Sequence, residues 1–104
     1  MQVRFLADAR MDLFECNQYY TELGGSRLAA RMLDRIKKPI LSLANNPEIA
    51  PPCDLAPGIR RLVVAGGAFL VYYRVHTNIE ILHIRRAERF PITEKELKNA
   101  ADPA

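Results

Sequence analysis

The sequence predicts an α+β fold in the order β-α-α-β-β-β-(α), a helical hairpin packed on one face of a mostly antiparallel four-stranded sheet. Three observations predict it. Two stretches with apolar residues at helical spacing meet at Gly24-Gly25. Three alternating segments follow, joined by the two-residue turns Gly66-Gly67 and Thr77-Asn78. A capping box, Thr93 to Glu96, then opens a short final helix.

The elements follow in chain order. Gln2 to Leu6 reads as a short strand. Asp8 is placed to cap a helix reaching about Leu23, with Ala9, Leu13, Cys16, Tyr20 and Leu23 on its apolar stripe. Ser26 is placed to cap a second helix whose Leu28, Met32, Ile36, Ile40 and Leu43 form a wide stripe. Pro39 falls inside that stripe and predicts a kink, because proline lacks the N–H of the helix ladder. The proline-rich "NPEIAPPCDLAPG" is a connection. Strands are expected over about Arg60 to Ala65, Ala68 to His76 and Ile79 to Arg86.

With both turns at two residues, 65 faces 68 and 76 faces 79, and alternation sorts the strands into two faces. One carries Leu62, Val64, Phe69, Val71, Tyr73, Val75, Leu82 and Ile84, with Arg60 and Arg86 at its margins and Glu80 by the turn; it is the face the helices cover. The other carries Arg61, Val63, Leu70, Tyr72, Arg74, His76, Ile81, His83 and Arg85, and aligns Arg61, Tyr72 and His83 across three strands. That face is too apolar to be merely solvated and too basic for a second core, so it is expected to meet a partner. The competing reading is that Phe90, Ile92 and Leu97 fold back and cover it.

Length and composition bound the function. The 104 residues suit one domain, 1–104, and the balance of 49% hydrophobic to 26% charged residues is that of a folded protein. No apolar run approaches the roughly 20 residues of a membrane span, and acids interrupt the N-terminal stretch where a signal peptide is apolar, so no membrane partner and a cytoplasmic location are expected. Cys16 and Cys53 sit in no metal-ligand spacing and read as free thiols, Cys16 as core; no metal and no cofactor are expected. The net charge of +3 is uneven: residues 1–57 balance, while residues 58–90 hold six arginines against Glu80 and Glu88. Arginine's fork suits phosphate and carboxylate. Arg60, Arg61, Arg85, Arg86 and Arg89 are expected to converge at one end of the sheet as a target-binding surface, the competing reading being a solvated face.

Met11 and Phe14 fall off the first helix's core stripe, and with Leu70, Tyr72 and Arg74 they form the expected surface for a protein partner. Arg61, Tyr72, His83 and Arg89 are the candidates for acid–base and phosphate-clamping roles if the chain cleaves RNA.

In this order and spacing, "ADARMDLFECNQYY", "AARMLDRIKKPILSLANNPEI", "LAPGIRRLVV", "FLVYYRV" and "IEILHIRRAER" resemble the RelE/ParE superfamily of toxins from type II toxin-antitoxin pairs, nearer its ParE branch. The resemblance implies a compact α/β toxin neutralised by a cognate antitoxin. RelE-like members cut messenger RNA on the ribosome, and ParE-like members poison DNA gyrase. A position that is arginine in the nucleases is Leu70 here; Arg89 matches their ancillary arginine and Arg86 a basic position before it; Phe90 stands where they often have tyrosine or histidine. The resemblance thus implies gyrase inhibition, with ribosome-dependent mRNA cleavage and a non-toxic antitoxin-binding module as the alternatives.

Overall fold

A computed structural model, describing residues 1–102, contains β1 (Val3–Phe5), α1 (Ala7–Gly24), α2 (Ser26–Ser42), β2 (Ile59–Val64), β3 (Phe69–Val75), β4 (Ile79–Arg86) and α3 (Glu94–Ala101). The sheet order is β1-β4-β3-β2, with β1 parallel to β4 and the other pairs antiparallel. The expected hairpin covers one face. There Ala9, Ile36, Ile40 and Leu43 pack on Val64, Phe69, Val71, Tyr73, Ile79, Ile81 and Ile84. A second cluster, Ile59, Tyr72, Leu82, Ile92, Leu97 and Ala100, fills the other face beneath α3.

The helix ends differ from expectation. Leu6, not Asp8, is the N-cap of α1, and Asp8 lies in the first turn, where its charge suits the helix dipole. Gly25, at φ 90°, is the N-cap of α2, so Ser26 is its first residue. Only a residue tolerant of that φ turns the chain between abutting helices, and the Gly25 N–H also closes α1 on the Thr21 carbonyl at 2.8 Å. Pro39, where a kink is expected, lies within α2 without ending it. The capping box of α3 forms as expected.

The first sheet turn holds as read: Gly66 and Gly67 both have positive φ, 65° and 95°, and the Ala68 N–H reaches the Ala65 carbonyl at 3.2 Å. β2 begins one residue early, at Ile59. The second turn corrects the expectation. Val75 pairs with Ile79, so the loop has three residues, and a bulge at Leu82 restores the register to Tyr72 opposite His83. The extra residue exchanges two faces: Ile81 joins the hairpin-side core, and Leu82 turns to α3. Burial drives this, since both side chains are fully buried, on opposite sides of the sheet.

α3 also decides the fate of the second face. Ile92 and Leu97 do fold back over it, as the competing reading had it, whereas Phe90 remains 89% exposed. Arg74 ties both neighbours together, donating to Glu80 at 2.6 Å and to the Ala101 carbonyl at 3.1 Å. Among the described residues no helix is long and apolar enough to cross a membrane.

Candidate functional site

The five arginines do not converge. Arg60 pairs across the sheet with Tyr73, and Arg61 with Tyr72, near the start of β2; Arg85 and Arg86 stand opposite Leu70 and Phe69 at the other end. Arg60 is a structural clamp, donating to the carbonyls of Ala50 at 2.6 Å and Glu48 at 3.2 Å, while the Tyr73 hydroxyl donates to Pro47 at 2.8 Å. Together they pin the proline-rich connection to β2 and β3. The expectation failed because antiparallel pairing aligns residues by their sum, and 60 and 86 lie in distant rows.

Arg85, Arg86 and Arg89 do come together. They line a cleft of about 310 Å³ between α1 and the end of β4, with Asp12, Glu15, Cys16, Tyr19, Phe69, Ile84 and Phe90. Arg86 lies over the Tyr19 ring, 3.7 Å from its centroid, a distance at which a guanidinium is attracted to the aromatic face. Arg85 reaches across to Glu96 of α3, and that pairing holds the Glu96 carboxyl below the usual range. Arg89 is exposed. Cys16, expected in the core, is half-buried on the cleft floor, and burial with the Asp12 charge pushes its thiol up to about 11. It is therefore a weak nucleophile.

The row Arg61, Tyr72, His83 exists as backbone pairing, and its side chains are engaged in different directions. Tyr72 is 3% exposed beneath α3, and burial raises its phenol above the ordinary value although neighbouring Arg61 opposes this. His83 turns instead to α1: its Nδ1 lies 2.8 Å from Asp12 Oδ2, and its Nε2 3.6 Å from Asp8. The same Asp12 oxygen accepts the Ile84 N–H at 2.8 Å. β1 pairs only with residues 79–81 of β4, so Asp12 satisfies an edge donor left open beyond it. That contact spans 72 positions in sequence, and no local pattern announces it.

The partner residues also divide. Met11 and Phe14 are each 57% exposed, as expected of a docking face. Leu70, Tyr72 and Arg74 belong to the layer α3 covers, which removes them from any such face in this structure. The cleft residues on α1 were missed; the signal was present as acids at 8, 12 and 15 beside Tyr19-Tyr20, a polar and aromatic flank next to the core stripe.

Comparison with known proteins gives a consistent result. A family model described as the ParE toxin of the type II toxin-antitoxin system, parDE, matches residues 3–90, ending before α3. A solved structure of the chromosomal ParDE TA system from P. aeruginosa is similar with a TM-score of 0.74 and 27% identity, over 85% of this chain and 97% of that one. No curated protein matches the sequence significantly.

Proposed function

The chain belongs to the ParE toxin family of type II toxin-antitoxin systems, and from that premise we propose that it poisons DNA gyrase in the cytoplasm and is held in check by a cognate antitoxin. The observation that carries this reading is the pairing of a gathered arginine cluster with a dispersed acid–base set. Arg85, Arg86 and Arg89 border one cleft; Arg85 is paired with Glu96 and Arg86 lies on Tyr19, while exposed Arg89 has no ion-pair partner among the described residues and can contact a macromolecular target. Tyr72 and His83, which ribosome-dependent mRNA cleavage would require, are engaged elsewhere, one under α3 and the other on Asp12. Poisoning a topoisomerase asks no proton transfer of this chain, so it tolerates that arrangement. The exposure of Met11 and Phe14 on α1 supports an antitoxin contact there.

An Arg85→Ala, Arg89→Ala double variant tests the target surface. Circular dichroism is expected to report an intact fold, because the Arg85–Glu96 pair is partly exposed and worth about 1 kcal/mol or less. Induction of the wild-type chain is expected to produce double-strand DNA breaks and an SOS response, and the folded double variant to lose them. A folded double variant that stays fully toxic would show that these arginines are not the working surface.

A further inference from the structure

We propose that the outward face of α2 grips the phosphate backbone of double-stranded DNA without regard to its sequence. The preference for DNA over RNA rests on the gyrase reading above. α2 carries five basic residues against the single acid Asp34. An advance of about 100° per residue places Arg27, Arg31, Arg35 and Lys38 on one flank about 80° wide, opposite the buried Ala29, Ile36 and Ile40, and all four are exposed.

Most of these charges serve no partner within the chain. Lys38 is paired with Asp34 at 3.0 Å, whereas Arg27, Arg31 and Arg35 have no ion-pair partner within 4.0 Å among the described residues. The Arg35 guanidinium lies beside the Gly66 turn and donates only to the Met32 sulfur, at 3.9 Å. The stripe also works against the helix that bears it. Like charges four residues apart repel, and Arg27 stands in the first turn, at the positive end of the helix dipole, where no acid offsets it. A face that weakens its own helix with no compensating ion pair in the described fold points to a ligand outside it.

The composition of the face selects that ligand. α2 has no aromatic residue on which an unpaired base could stack, and Ala30 is the only uncharged residue among the exposed positions from Arg27 to Lys38. The flank therefore offers neither the apolar wedge of a membrane-surface helix nor the buried anchor of a protein interface. What it offers is a regular row of guanidinium groups. At a rise of about 1.5 Å per residue the arginines follow one another every about 6 Å and span about 12 Å, while each DNA strand presents a phosphate every about 3.4 Å of helix axis. The row thus meets several phosphates of one duplex, and the fork of each arginine suits their oxygens. Such contacts position a protein on DNA and read no sequence.

The test measures fluorescence anisotropy of a short labelled DNA duplex of arbitrary sequence across a salt series, with folding checked by circular dichroism. The triple variant Arg27→Ala, Arg31→Ala, Arg35→Ala is expected to bind at least tenfold more weakly at low salt. Its slope of log affinity against log salt should be shallower by about 2.7, at about 0.9 for each lost phosphate contact. A control that removes the same charge elsewhere, Arg4→Ala, Lys37→Ala, Lys95→Ala, is expected to stay within a few-fold of wild type. Unchanged affinity in the folded stripe variant, or an equal loss in the control, would overturn the proposal. Tighter binding to an RNA duplex of the same sequence, or binding only to phosphatidylglycerol vesicles, would overturn the assignment to DNA. A wild-type chain that inhibits supercoiling yet binds no duplex would overturn this face and leave the gyrase reading standing; one that binds the duplex through these arginines without inhibiting supercoiling would do the reverse.

Discussion

Replacing Leu97 by alanine probes the element that decides which sheet face is free. Leu97 is fully buried and packs with Ile92, Ala100, Tyr72 and Leu82. An eight-residue helix has no stability of its own in water, so α3 exists because this side chain and Ile92 dock it. Truncating a buried leucine loses its transfer free energy and leaves a cavity, together about 2–5 kcal/mol. Because α3 lies near the end of the described chain and can shift to close the gap, the cost is expected near the lower half, about 3 kcal/mol. With an m-value of about 1.5 kcal/mol/M for a chain of this size, the urea midpoint should fall by about 2 M. Equilibrium unfolding followed by circular dichroism measures that fall, and hydrogen exchange should locate the first lost protection in residues 94–101. A loss below about 0.5 kcal/mol with unchanged exchange would refute the docked α3, and with it the removal of Leu70, Tyr72 and Arg74 from the partner surface.

The Glu96 carboxyl is held below its usual range by Arg85, so its contribution is present above the ordinary glutamate pKa and is lost as pH falls through the depressed folded value. Acid titration is thus expected to weaken α3 protection below about pH 4.5, and Glu96→Gln to reduce that dependence to what the Glu94–Lys98 pair contributes; an unchanged profile in the variant would contradict it. Tyr72→Phe and His83→Gln are expected to leave growth inhibition within a few-fold of wild type, whereas loss of positioned acid–base groups in a nuclease would lower the rate about 10²- to 10⁴-fold. Ala65 has φ 53°, which costs an L-residue about 1 kcal/mol, so Ala65→Gly should raise the thermal midpoint slightly, and a fall would show that its methyl matters more than the strain.

Much of this architecture was legible because it is written locally. The helical stripes, the Gly66-Gly67 turn and the capping box each lie within a few residues of what they determine. The bulge was not. In "IEILHIRR" the adjacent Ile81 and Leu82 cannot both face one side of a regular strand, and alternation alone leaves open which one belongs to the helices. Tertiary demand settled it, since the hairpin and α3 each required an apolar partner from β4. The same holds at the site: Arg85, Arg86 and Arg89 are neighbours in sequence and stayed together, whereas Arg60 is drawn off by backbone carbonyls of the proline-rich connection. His83 was misread because its partner, Asp12, lies on another element.

The most direct test of the central claim adds the purified chain to DNA gyrase with plasmid DNA, and in parallel to translating ribosomes. Loss of supercoiling with accumulation of cleaved plasmid, and transcripts left intact, is the predicted result. Codon-positioned messenger RNA cuts that disappear in His83→Gln, with gyrase unaffected, would contradict the account and make the Arg61, Tyr72, His83 row the active site.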